Sequence, residues 1–247
     1  MMIPESPYYY LKKGQREEAK ESIVWLKGKC NDDDLDILQK KVEEQMEMKG
    51  SFLDIFKTPA CLKAFIIVEF LYACQRFSGA TFLCAFATVV IPESWFSPAD
   101  SFMNLLIVWI IASFLASSLI DKFNRRTLLA ISCLGSGLAM CAATVWYYLR
   151  DFTEIDTSNT NYLPLVFLVI SGVFYCIGIV SIPIIIQGEL FPVNLKSIGS
   201  ALACITANLC SGIFTQFFYD ITNNIGMYFN FLIMGMAPLI CIVFFLL

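Results

Sequence analysis

The sequence predicts an all-α membrane protein, with a polar N-terminal segment followed by six spanning helices. Three observations carry this. Of the 247 residues, 57% are hydrophobic and only 15% are charged, with a mean hydropathy of +0.67; soluble domains are about a quarter charged. The charge is also unevenly placed: residues 1–61 hold 22 of the 38 charged side chains, and the stretch from Leu62 onward holds 16. Finally, six apolar runs approach or exceed the ~20 residues needed to cross a hydrocarbon core about 30 Å thick.

The polar segment comes first. Met1-Met2-Ile3-Pro4-Glu5-Ser6-Pro7 has neither a basic stretch nor an apolar one, so no cleavable signal is expected. Residues 15–29 mix Arg16, Glu17, Glu18 and Lys20 with Ile23, Val24, Trp25 and Leu26, which fits an amphipathic helix. A second helix is expected after Asn31-Asp32-Asp33, which can cap it. It continues through Leu35, Leu38, Val42 and Met46 and stops at Gly50. The mixed charge suits a solvated pair under the membrane domain better than a polybasic lipid switch. The segment 1–61 is therefore read as a cytoplasmic domain of short helices, and 62–247 as the membrane domain.

The six spans are expected near 62–90, 101–120, 127–149, 163–186, 197–219 and 226–247. The last five contain no charged residue. The loop charges set an orientation. Lys122, Arg125 and Arg126 share one short loop, Lys196 lies two spans later, and lysines and arginines are dense between residues 12 and 63. The alternate loops contain Arg150 as their one basic residue. The positive-inside rule then places the N-terminal segment, 121–126, 187–196 and both termini in the cytoplasm.

Composition removes whole classes of chemistry. The chain has no histidine, which excludes a Ser-His-Asp triad, an HExxH zinc site and a histidine proton relay. With no cysteine-pair motif and no paired intramembrane aspartate, no metal, cofactor or enzymatic role is expected. No basic stripe points to nucleic acid. Nearly all of the ten cysteines stand singly in apolar runs, where they act as small hydrophobes.

Three groups of residues carry information. The first is Asp121-Lys122-Phe123-Asn124-Arg125-Arg126. Asp121 ends a helix, where the helix dipole disfavours a carboxylate, so it calls for a cation. The second is Gly188-Glu189-Leu190-Phe191-Pro192 with Lys196 and Gly199, where Glu189 faces the same problem and Pro192 breaks the helix. The two clusters can form one ionic latch on a single membrane face, or be two independent loops that only set topology. The third is the first span, with Glu69, Gln75, Arg76, Ser78, Gly79 and Thr81. Ionisable groups inside a membrane are expensive and point to function. Glu69 and Arg76 are seven residues apart on one helix face, about 10 Å along the axis at ~1.5 Å per residue. They can pair with each other or find partners on other helices. Ser78-Gly79 can unwind the helix, as happens at transporter binding sites.

These motifs, in this order, resemble the C-terminal half of the sugar porter family of the major facilitator superfamily, and within it the insect facilitated trehalose transporters. Pro4-Glu5-Ser6-Pro7, with Leu11, Lys13, Gly14 and Glu17-Glu18-Ala19, resembles the PESPRxLxxxGRxxEA stretch after the sixth helix. Gln75-Arg76-Phe77-Ser78-Gly79 resembles the QQxSG of the seventh. Asp121 to Arg126 resembles the D/E-R-x-G-R-R loop, and Gly188 to Pro192 with Lys196 resembles the E-x-F-P-x-x-x-R signature. The resemblance covers essentially the whole chain and implies a six-helix half of a major facilitator fold.

The resemblance further implies transmembrane transport of a sugar or similar small polar solute by alternating access, of the facilitative type. Gln75, Arg76 and Thr81 would bind solute, and Glu5, Asp121, Arg125, Arg126, Glu189 and Lys196 would form the latch. The partners implied are the solute, the lipid bilayer, and a further six-helix half or a second copy of this chain. The family default is a multi-pass protein of the plasma membrane. Departures from the pattern are also present: the second helix-seven glutamine is Arg76, a motif asparagine is Thr81, the tyrosine pair is Ala85-Phe86, and the signature arginine is Lys196. One matching glutamine beside a new arginine also fits an anionic or smaller solute. Two other readings stay open: a proton symporter with Glu69 as the coupling acid, and a non-transporting sensor or interaction protein.

Overall fold

The computed structural model describes residues 4–28, 35–40, 42, 54–92, 97–120, 122–153, 160–192 and 195–246. The polar segment begins with α1 (Pro7–Lys12), capped by Ser6, whose Oγ accepts the Tyr9 N–H at 3.3 Å. The chain then turns into α2 (Arg16–Lys27). Residues 35–40 are helical as well. Leu11, Ala19, Ile23, Leu35 and Val42 close a small apolar core between these pieces. Ser22 Oγ donates to the Glu5 carbonyl at 2.7 Å. Arg16 pairs with Asp36 at 2.5 Å, but both side chains are about half exposed or more, so the pair adds little stability. The expected cap at Asn31-Asp32-Asp33 and the stop at Gly50 lie outside the described residues.

The membrane part consists of α3 (Asp54–Lys57), α4 (Pro59–Phe77), α5 (Ala80–Val90), α6 (Pro98–Ile120), α7 (Arg125–Phe152), α8 (Leu163–Phe174), α9 (Ser181–Leu190), α10 (Lys196–Asn224) and α11 (Met227–Leu246). One π turn, Tyr175–Ile179, joins α8 to α9. Among the described residues, five segments are long and apolar enough to cross a membrane: α6, α7, α8 through α9, α10 and α11. A sixth is split into α4 and α5 by Ser78-Gly79, and α4 carries Lys63, Glu69 and Arg76. The fold is therefore all-helical with five to six spans.

Helix ends and apolar ends do not coincide, for a simple reason. Hydropathy marks where lipid stops, whereas backbone hydrogen bonds continue while a cap or water can serve the chain. Helix α6 starts at Pro98, before its apolar run, because Ser97 caps it: Ser97 Oγ accepts the Asp100 N–H at 3.2 Å and donates to the Asp100 carboxylate at 2.7 Å. Helix α10 runs on through Asp220 to Asn224.

Helices α7 and α11 approach closely where two glycines meet. A Cβ on Gly137 would stand 3.0 Å from the Gly235 carbonyl oxygen, and one on Gly235 would stand 3.2 Å from that of Gly137. Small residues at a crossing let membrane helices gain contact that lipid cannot offer. Helix α7 also meets α8 through Ser136 and Ser171, whose hydroxyls are 2.9 Å apart. Helix α4 packs on α9, α10 and α11. An aromatic core ties α5 to α10: the Phe82 ring lies 5.7 Å from Phe214 and 4.1 Å from Phe218. Tyr147 stacks on Phe231 at 4.5 Å and donates its hydroxyl to the Val90 carbonyl, serving the end of α5. On the outside, α6 presents Ile107, Ile110, Ile111, Phe114 and Leu115, all more than half exposed. Such an apolar face suits lipid.

Candidate functional site

The site begins with the break in α4–α5. Gly79 has φ +91°, a region that only glycine occupies without strain. Ser78 Oγ donates to the Cys74 carbonyl at 2.8 Å and so caps the end of α4. The break lies directly after Gln75 and Arg76 and just before Thr81. Arg76 Nη1 donates across it to Thr81 Oγ1 at 3.3 Å. Arg76 Nε is buried and has no hydrogen-bond partner among the described residues. The Arg76 charge also acts on Tyr72 and on Tyr175 of the π turn.

Gln75 is buried and faces the π turn. Pro183 has no N–H, so the carbonyl four residues earlier, Ile179, lacks its helical donor. Gln75 Nε2 supplies one at 3.1 Å, and also reaches the Val180 carbonyl at 3.1 Å. From the other side, Ser132 of α7 accepts the Ile179 N–H at 3.0 Å and donates to the Phe174 carbonyl at 2.5 Å. The Val180 N–H closes the π turn on the Tyr175 carbonyl at 3.2 Å. Inserted π turns are frequent at functional sites, and here two helices satisfy the backbone groups that the turn and the proline leave open.

A second chain of polar groups runs from the buried interior towards the surface further along the bundle. Tyr72 Oη donates to Gln187 Oε1 at 2.6 Å, Gln187 Nε2 donates to Ser200 Oγ, and Ser200 Oγ donates to the Lys196 carbonyl at 2.8 Å. It links α4, α9 and α10. Sequence reading passed over Tyr72, Ser132 and Gln187. The available signal was a polar side chain inside an otherwise apolar run, which is costly without a partner.

Both carboxylate oxygens of Glu69 are buried and lack a partner among the described residues. Glu69 and Arg76 therefore do not pair with each other. Its charge reaches Tyr72 and, on α10, Cys210. Asn208 Nδ2 donates to the Cys204 carbonyl of its own helix at 2.7 Å.

At the end of the bundle formed by the α6–α7 loop and the end of α9, Arg125 Nη1 forms an ion pair with Glu189 Oε1. The two side chains are 41% and 54% exposed, so within this half alone the pair is worth ~1 kcal/mol at most. Lys196 Nζ lies 3.7 Å from where a Cβ on Gly188 would stand, so it is close to the same signature. Arg126 lines adjoining surface depressions with Phe123, Asn124 and Phe245. Glu5 is not placed with this cluster but in the N-terminal hairpin. There it acts on Lys13, whose ammonium is raised above its ordinary range chiefly by a hydrogen bond to Tyr9, with Glu5 adding to it. Asp121 lies outside the described residues.

The cysteines add one feature. Cys74, Cys133 and Cys241, from three helices, line one small cavity with Gln75 and Ser78. The nine described cysteines are all free, and no group of metal-ligating side chains occurs among the described residues.

Comparison with known proteins places this geometry. The chain is similar to the facilitated trehalose transporter Tret1 of Apis mellifera ligustica, with 27% identity over 98% of this chain and 49% of the relative. It is 30% identical to Tret1 of Aedes aegypti over 98% of this chain and 31% of that relative. The chain thus spans half or less of the length of these relatives. In fold it resembles the proton:xylose symporter XylE bound to 6-bromo-6-deoxy-D-glucose, with a TM-score of 0.73 and 16% identity, covering 98% of this chain and 50% of XylE. The inward-open conformation of XylE from E. coli gives a TM-score of 0.71. The family model "Sugar (and other) transporter" matches residues 1–247. The chain is a multi-pass membrane protein that belongs to the sugar transporter family of the major facilitator superfamily.

Proposed function

We propose that this chain is the C-terminal, substrate-binding half of a facilitative carrier for a sugar or similar small polar solute. The observation that carries this reading is the broken helix α4–α5, which sets Gln75, Arg76 and Thr81 beside a π turn at mid-bundle. Unwound backbone next to polar side chains at mid-membrane is how carriers build a solute site. Alternating access then rocks this half against a second six-helix unit, either elsewhere in a longer polypeptide or in a second copy. Residues 1–61 lie on the cytoplasmic side with both termini, in the plasma membrane.

In this reading Arg125, Arg126, Glu189, Lys196 and Asp121 close the cytoplasmic face, and opening exchanges their partners. The pair Arg125–Glu189 is weak when exposed and strengthens when the second half covers it and removes water. The test is a charge swap, assayed as uptake into proteoliposomes by the product of the complete reading frame. Arg125→Glu should reduce uptake by about tenfold, and Arg125→Glu with Glu189→Arg should restore most of it. Uptake unchanged in the single variant would sink the latch. Absence of any solute flux from correctly folded protein would instead favour a sensor or interaction protein.

The partnerless Glu69 carboxylate favours a second reading, proton symport. A buried carboxylate with no donor inside the membrane domain points to function. The titratable groups it acts on are Tyr72 of α4 and Cys210 of α10. Glu69→Gln should then abolish pH-driven accumulation while leaving solute exchange at equal pH intact. Equal loss of both would show that Glu69 is structural.

A further inference from the structure

We propose that the solute of this site is an anionic sugar, a small polyol bearing a carboxylate, and that Arg76 is the residue that selects it. The inference rests on the carrier reading above and specifies its substrate class. A neutral sugar is recognised by several neutral donors and acceptors aimed at its hydroxyls, because an unmatched buried hydroxyl is penalised. Here those groups are largely committed to the protein. The Gln75 amide N–H groups hold the Ile179 and Val180 carbonyls. The Tyr72 hydroxyl is held by Gln187. Asn208 is bonded to its own helix.

A charged donor remains open. Arg76 uses Nη1 on Thr81, and that bond fixes the plane of the guanidinium. Its Nε is buried without a partner, and no acid among the described residues pairs with it. Nε is covered by the protein, whereas the terminal nitrogens lie at the exposed end of the side chain, where Nη1 meets Thr81; that end can match the two oxygens of a carboxylate. An unpaired guanidinium inside the membrane domain is costly, and an arriving carboxylate removes that cost together with its own. Glu69, one negative charge on the same helix face, opposes an anion but does not decide the outcome. It stands about 10 Å from Arg76 along the axis, whereas a bound carboxylate touches Arg76 at about 3–4 Å. Coulomb energy falls with distance, so attraction exceeds repulsion by about threefold.

The experiment has two readouts on the product of the complete reading frame. Binding is read as thermal stabilisation of detergent-purified protein by glucuronate, by glucose and by trehalose, at constant ionic strength. Transport is read as uptake of the same three solutes into proteoliposomes. Glucuronate should bind about tenfold or more tightly than either neutral sugar, and uptake should follow the same order. Arg76→Gln should remove the preference while keeping the melting temperature of the unliganded protein. Arg76→Lys keeps the charge but loses the paired edge, and should keep only part of the preference. Equal or better binding of a neutral sugar, with no change in the ratio in Arg76→Gln, overturns the inference and leaves the carrier reading standing. Selective glucuronate binding with no uptake of any solute leaves the inference standing and overturns the carrier reading.

Discussion

Replacing Gly79 with valine should remove a large share of the protein's stability. The residue sits at φ +91° between α4 and α5. A β-branched residue in that region carries strain of about 1–3 kcal/mol. A side chain would also run into Met234, whose sulfur stands 2.5 Å from the position of an added Cβ. Folded domains have only about 5–15 kcal/mol to lose, so a combined loss of this size is a large fraction. The check is the yield and melting temperature of detergent-purified protein, with a shift of several degrees or outright aggregation expected. Strain and clash can be separated. Measured against Met234→Ala alone, which truncates a fully buried side chain at its own cost, adding Gly79→Ala should cost only the strain. No further loss in that background would mean that the positive φ is not what requires glycine.

Gln75→Leu is the second large effect. It removes the donor from the Ile179 carbonyl, which Pro183 has already deprived of its helical partner, and from the Val180 carbonyl. A buried group left unsatisfied costs about 1–3 kcal/mol, so a loss of about 2–4 kcal/mol is expected for the two together. Gln75→Glu should fare little better, because an ionised carboxylate offers no donor to a carbonyl. In each variant the melting temperature should fall with no solute present. A fall in solute binding at unchanged stability would instead make Gln75 a ligand to the solute and not a support for the π turn. Pro183→Ala tests the same logic from the other side: it restores the N–H at 183 and should lessen the damage of Gln75→Leu.

These two residues also mark how far sequence reading reaches. Gly79 and the break beside it were legible because a Ser-Gly pair inside an apolar run is a local conformational signal. The polar character of Gln75, Arg76, Thr81 and Glu69 was legible too, since any such residue in a spanning run stands out by composition. The commitment of Gln75 to Ile179 was not legible, because it depends on a residue 104 positions away. The same holds for Tyr72 with Gln187, 115 positions apart, and for the meeting of Cys74, Cys133 and Cys241, which read singly as filler. In the ionic cluster, the acid-then-base spacing suggested five partners, and the family resemblance added Glu5. The structure joins Arg125 to Glu189, brings Lys196 beside Gly188, and sets Glu5 with Lys13 in the N-terminal hairpin.

The sequence by itself determined that this is an all-helical membrane protein of the sugar transporter family. Hydropathy, loop charge and short motifs are properties of contiguous residues, and lipid demands that each spanning stretch satisfy its own backbone. Only the tertiary structure decided which polar side chains are already occupied and which remain open. In an apolar interior most donors take an acceptor within reach, and which acceptor is within reach depends on how helices far apart in the chain come to lie side by side.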